Sequence, residues 1–229
     1  MPHFLSELRL AVRAWAHRPA LALTAILTLS IGLGSATAIW SLLHAVLISP
    51  LPYGEPERTA AVFNAWTGFE KTWVNPGEML ALKRGAPSIE EVAYWSVGYR
   101  NIENGGDATR VAVGEVSAST FSVLGVKTAL GRTFTAAEDV DGGPALAVLS
   151  HEIFDGQFGG DASILGKLVR IDGRPFEVIG VMPKGFRLPT DFTDDAADPT
   201  RIFVPRAATA EELVTIDKSH GDNGAIRLR

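Results

Sequence analysis

Read as a pattern of apolar and polar positions, the chain changes character twice near its start. In residues 4–16 (FLSELRLAVRAWA), Phe4, Leu5, Leu8, Val12 and Trp15 recur at helical spacing, with Glu7 and Arg13 away from them. This predicts an amphipathic helix within residues 1–18, lying along a membrane surface. Pro19 ends it or bends the chain, and simple continuation into the next segment is the alternative. From Pro19 to Gly54 there is no Asp, Glu, Lys or Arg. The run from Ala20 to Ile48 is roughly 29 residues long, whereas a bilayer span needs about 20. At about 1.5 Å per residue it would reach about 43 Å, so a transmembrane helix over 19–49 is expected to tilt or project.

The flanking charges orient that helix. Arg9, Arg13 and Arg18 precede it, and Glu55 and Glu57 follow it. Positive charge stays on the cytoplasmic side, which predicts a cytoplasmic N-terminus and an external domain from residue 50 onward. Trp15 and Tyr53 stand near the two ends, as interfacial aromatics do. A cleaved signal peptide is the rival reading, with Ala36-Thr37-Ala38 as its cleavage site. Its apolar region should be about 7–15 residues, and this run starts too early and continues past that site. Ser30, Gly34, Thr37, Ser41 and Ala45 share one face of the helix, and small residues let a second membrane helix approach closely. Such residues are also common in membrane helices generally, so both readings stay open.

Beyond Pro50, Pro52 and Pro56 the period shortens. A strand is predicted over Glu57–Trp66, and a short helix over Gly77–Arg84 behind Asn75-Pro76. Ile89–Tyr94 is apolar and ambiguous. Strands are predicted at Tyr99–Glu103 and Thr109–Val116, joined by the turn residues Asn104-Gly-Gly-Asp107. Ser119 is placed to cap a helix ending at Gly125, and Ser150 one ending at Gly159-Gly160, after a buried strand over Ala145–Leu149. Asp161 opens a single turn ended by Gly166. The clearest local signal is two alternating runs, Lys167–Ile171 and Arg174–Val181, around Asp172-Gly173. That dipeptide suits a type I′ turn, which needs two residues with positive φ. Another strand is predicted at Arg201–Pro205, after an acidic loop over Thr190–Pro199. Strands mixed with short helices, without βαβ alternation, predict an α+β fold. Ala225–Arg229 reads as the start of a strand with nothing after it, which suggests a truncated chain.

Charge and composition narrow the function. The net charge is -5, and no basic cluster argues for nucleic acid as a partner. The absence of cysteine excludes disulfides, thiol nucleophiles and Cys-type metal sites. Gly160–Leu168 imitates a phosphate-binding loop, but one residue too many separates its glycines and Leu168 stands where Ser or Thr should hold Mg²⁺. His151-Glu152-Ile-Phe-Asp155 resembles a zinc-peptidase helix with Asp in place of the second His. Asp139-Val-Asp141-Gly142 falls short of an EF-hand. The carboxylates Glu138, Asp139 and Asp141, and Asp191, Asp194, Asp195 and Asp198, fit solvated loops better than acid–base pairs. No catalytic residue, cofactor or metal site is assigned.

Several stretches, in order, resemble one family. Gly32-Leu-Gly-Ser-Ala-Thr-Ala-Ile-Trp-Ser-Leu-Leu-His-Ala-Val-Leu-Ile-Ser-Pro50-Leu-Pro-Tyr53 is similar to the first transmembrane helix of MacB/FtsX-type ABC transporter permeases. Val116–Val126, Ala129–Phe134, Ala147–His151, Phe158–Asp161, Ile164–Gly166, Ile171–Gly173, Val178–Pro183 with Gly185-Phe186, and Ile226–Arg229 resemble their periplasmic core domain. The resemblance implies an inner-membrane location and further membrane helices after the core domain. It also implies a second permease copy, a separate or fused ABC ATPase and a periplasmic protein partner. In such permeases cytoplasmic ATP-driven motion is passed to the periplasm rather than substrate through a wide channel. A free-standing, membrane-anchored binding domain is the alternative.

Overall fold

The computed structural model describes residues 18–44, 53–103, 108–189, 199–215 and 220–229. The chain divides into two compact units, with the boundary between Leu51 and Pro52. The predicted amphipathic segment 4–16, Ala45, the turn 104–107 and the acidic loop 190–198 lie outside the described residues.

The first unit contains helix α1 (Pro19–Leu43), long and apolar enough to cross a membrane and with no buried residue. Its hydroxyls turn back onto its own backbone. Thr37 Oγ1 donates to the Leu33 carbonyl at 2.7 Å and Ser35 Oγ to that of Ile31 at 2.8 Å. Helical Ser and Thr hydroxyls commonly satisfy themselves in this way.

The second unit is a mixed α+β domain. In chain order it comprises β1 (Thr59–Val62), β2 (Asn64–Trp66), β3 (Phe69–Thr72), α2 (Pro76–Gly85), β4 (Ile89–Glu103) and β5 (Ala108–Val116). There follow α3 (Thr120–Val123), β6 (Leu130–Gly131), β7 (Leu146–Leu149), α4 (His151–Phe158), β8 (Leu168–Ile171), β9 (Arg174–Val181), β10 (Ile202–Pro205), α5 (Ala210–Val214) and β11 (Asn223–Leu228). The main sheet runs β1-β11-β4-β5-β10-β7-β9-β6, and β8 pairs with both β4 and β9. That last strand closes a ring of β4, β5, β10, β7, β9 and β8.

Strand alternation sorts the side chains of this ring into two cores. Val113, Ile202, Leu149 and Val181 are register partners across β5, β10, β7 and β9, and all belong to one buried cluster. Ile102 and Ile171, paired across β4 and β8, join them. The next row is Gly114, Phe203, Val148 and Gly180. Here Phe203 and Val148 face a second cluster with Phe121, Phe186 and Trp95. Gly114 leaves room for it, since a Cβ there would stand 3.1 Å from Leu188 Cδ1, and Gly180 admits backbone instead, since a Cβ there would stand 2.3 Å from the Arg132 carbonyl oxygen. Strands buried on both faces read as continuous apolar runs, which is why β7 is legible in the sequence.

The hairpin around Asp172-Gly173 forms as expected. Ile171 pairs with Arg174, and φ is +46° at Asp172 and +77° at Gly173. Elsewhere the structure corrects the sequence reading. The strand predicted over Glu57–Trp66 is a 3₁₀ turn at Pro56–Arg58, then β1, then β2 after a break at Phe63. Pairing of β1 with β11 ends at Val62 and Gly224, and Val74 bridges Asp222 just ahead of β11. Ile89–Tyr94 and Tyr99–Glu103 are one 15-residue strand, β4, paired first with β11 and then with β5. Ser119 does not cap α3 with its side chain; its Oγ donates instead to the Val92 carbonyl at 2.6 Å. The terminal residues 223–228 form β11, an interior strand between β1 and β4. The sequence reading missed β3, β6 and α5.

Candidate functional site

Of the residues assigned to helix packing, Ser30, Gly34, Thr37 and Ser41 lie on α1 and are exposed, and Ala45 lies outside the described residues. Among the described residues a Cβ on Gly34 would meet nothing within 4 Å.

Among the described residues, Glu138 and Asp139 hold backbone in place. Glu138 accepts from both Arg132 terminal nitrogens, at 2.8 and 2.7 Å, and from the Thr135 N–H at 2.9 Å. These bonds, the Arg132 pair first, hold its pKa down to about 2. Asp139 points the other way and accepts the Ala118 N–H at 2.7 Å; burial pushes its pKa up. Asp141 lines an open groove of about 310 Å³ with Glu115, Glu138, Arg174 and Arg206. On α4, His151 Nδ1 sits 3.1 Å from Asp155, while Glu152 accepts the Gly185 N–H at 3.1 Å and so ties the helix to a loop. The phosphate-loop imitation is a 3₁₀ turn, with Asp161 accepting from the Ser163 N–H at 2.9 Å and Lys167 donating to Ser163 Oγ at 2.8 Å. Among the described residues no group of three or more His, Asp and Glu side chains is placed to hold a metal ion.

Three features escaped the sequence reading. The first is the seat of Tyr53–Arg58, the residues that lead into β1 of the second unit. Gly54 N donates to the Leu124 carbonyl at 3.0 Å, and Tyr53 Oη to that of Arg187 at 3.2 Å. Burial raises the Tyr53 pKa to about 12. Gly54 and Gly125 meet backbone to backbone; a Cβ on Gly54 would lie 2.5 Å from the Gly125 carbonyl oxygen. Arg58 donates to the Leu228 carbonyl, 170 residues away in sequence, at 2.9 Å.

The second is a buried charge network. Arg206 bonds Glu212 on α5 and Asp222 ahead of β11, and Asp222 keeps only 3% of its side chain exposed. Its sequence signal was available: Thr209 and Glu212 form a capping box at the start of α5. The third is the β2–β3 hairpin, which exposes aromatics: Trp66 by 49%, Phe69 by 65% and, just past β3, Trp73 by 49%. Trp66 and Phe69 are register partners, and Trp66 meets the His220 ring edge-on at 5.0 Å. The signal here was the run Ala65–Trp73 around Thr67-Gly68.

A closed ring of strands flanked by short helices, carried behind an apolar helix, is the arrangement to set against known proteins. The model of the MacB-like periplasmic core domain matches residues 22–229. The chain belongs to this family. Solved structures agree on the fold. The extracellular domain of the noncanonic ABC-type transporter YknZ from Gram-positive bacteria is 20% identical, with a TM-score of 0.53 over 75% of this chain and 83% of that one. The periplasmic region of MacB from Actinobacillus actinomycetemcomitans is 18% identical, with a TM-score of 0.53 over 74% and 73%. A domain of a putative permease protein from Porphyromonas gingivalis is 18% identical, with a TM-score of 0.59 over 77% of each chain. No curated protein matches the chain. The chain thus carries a MacB-like periplasmic core domain behind an N-terminal apolar helix, with the fold seen in the extracytoplasmic regions of ABC-type transporters.

Proposed function

We propose that this chain is the N-terminal part of a permease subunit in which a transmembrane helix over 19–49 carries a periplasmic domain over 50–229. That domain transmits ATPase-driven motion to a periplasmic partner or an exported substrate. The observation that supports this reading is the seat of Tyr53–Arg58. Tyr53, Gly54 and Arg58, at the start of the second unit, are bonded to Arg187, to Leu124 just past α3 and to Leu228 of β11. Displacement of such a segment moves the strands it is bonded to.

In this reading residues 1–18 lie on the cytoplasmic face, near a separate or fused ABC ATPase that supplies the energy. Lipid surrounds α1, except where Ser30, Gly34, Thr37, Ser41 and Ala45 meet a second permease copy or further membrane helices. The alternative, an anchored binding domain without transport activity, draws on the exposed aromatics of the β2–β3 hairpin.

The absence of native cysteine makes a direct test simple. A spin label on Phe69→Cys, in membranes holding the chain with its ATPase, reports the distance between two copies. A distance that changes with ATP supports transmission. A distance that ignores ATP leaves the anchored binding domain as the better reading.

A further inference from the structure

β1 and β11 are antiparallel, with Thr59 opposite Arg227 at one end of their ladder. The chain therefore arrives at β1 and leaves β11 at that same end. A load drawing the two strands apart from there falls on one ladder bond at a time, because only the outermost pair bears it. Whether the strands peel is decided at that end.

The ion pairs of the sheet edge collect there. Glu90 accepts from Arg58 Nη2 at 2.6 Å and from Arg227 Nη2 at 2.9 Å. Arg58 also reaches Glu55 through Nη1 at 2.9 Å, and Arg227 reaches the Ser122 carbonyl at 2.8 Å. The backbone explains how one carboxylate serves both arginines. Along β4 and β11, Arg227 pairs with Glu91 and Leu228 with Ile89, so Glu90 is the extra residue of a β-bulge. A bulge re-aims the side chain it carries.

We infer that Glu90 is a latch: it fastens the incoming segment and β11 to β4, so that β1, β11 and β4 move as one body instead of peeling. The inference rests on the motion-transmitting reading for its purpose, but its mechanics stand apart from transport and are tested without it.

The test is hydrogen exchange on the full chain in nanodiscs, comparing wild type with Glu90→Ala and the gentler Glu90→Gln. Losing two charge-assisted bonds should speed exchange across Thr59–Val62 and Asn223–Leu228 by about tenfold, with β7 unchanged. In wild type the same amides should exchange faster as salt rises, and in Glu90→Ala that dependence should vanish. Unchanged exchange in β1 and β11 overturns the latch. Acceleration spread equally over β7 and β9 also overturns it, because Glu90 would then support the whole domain. If Glu90→Ala does not fold, Glu90→Gln reads the same amides. A latch confirmed in a chain that ignores ATP would fault only the transmission reading.

Discussion

Asp172 and Asn101 exchange two hydrogen bonds across the seam that closes the strand ring. The Asp172 N–H donates to the Asn101 carbonyl at 2.8 Å, and Asp172 Oδ1 accepts the Asn101 N–H at 2.9 Å. One residue therefore turns the β8–β9 hairpin with a positive φ and fastens that hairpin to β4.

Replacing Asp172-Gly173 by Ala-Ala should act on folding, not on partner binding. An alanine at the Gly173 φ costs about 1–2 kcal/mol, and Asp172→Ala gives up the Asn101 bond, worth about 1 kcal/mol, so we expect a loss of about 2–3 kcal/mol and a drop of roughly 5–10 °C in Tm. Thermal unfolding followed by circular dichroism measures it. A variant of wild-type stability that has lost only a binding partner would contradict the structural role.

Acid should weaken the turn held by Glu138. Its pKa is lowered from 4.5 to about 2 in the fold, first by Arg132. A depressed carboxylate stabilises the fold above its unfolded pKa, and that contribution fades as pH falls from about 4.5 toward 2. Glu138→Gln should flatten this limb of a Tm-against-pH curve. An acid limb identical in the two proteins would assign the loss to other carboxylates.

Gly34→Leu should disturb assembly and leave the domain intact. The position is exposed on α1, and among the described residues a Cβ there would meet nothing within 4 Å. If the small face meets another membrane helix, a leucine holds the two backbones apart. Crosslinking through an introduced Thr37→Cys should then fall, while the Tm of the domain stays put. Equal crosslinking with and without the leucine would remove this face from consideration.

The aromatic hairpin should be where a periplasmic protein touches. Exposed Trp and Phe in a cluster are the residue types that anchor interfaces. A photocrosslinker at Phe69 should capture a protein partner, and one at Val214, itself 84% exposed, should not. Phe69→Ala should cut partner affinity about tenfold while changing stability by less than about 0.5 kcal/mol. Equal adducts from both positions would point to nonspecific contact.

Local chemistry explains what could be read before the fold was seen. The long apolar helix, the Asp172-Gly173 turn, the Ser150 cap and strand β7 each depend on residues within a few positions of one another. Their signals survive in a bare sequence because apolar length, positive φ and capping are local properties. The candidate carboxylates were legible as ordinary loop residues, but not as the holders of particular turns. Glu138 meets Arg132 and Asp139 meets Ala118 only once the chain has folded back.

The sequence by itself determined that a long uncharged run precedes an α+β domain of short elements, since hydrophobic period and turn residues settle that much. Tertiary structure alone decided that residues 223–228 enter the sheet between β1 and β4, and that β8 closes the ring. It alone decided that Glu90 faces both Arg58 and Arg227. Those outcomes depend on which distant strand takes each free edge and where a bulge shifts the register. That competition among remote backbone partners is not written into any local stretch of residues.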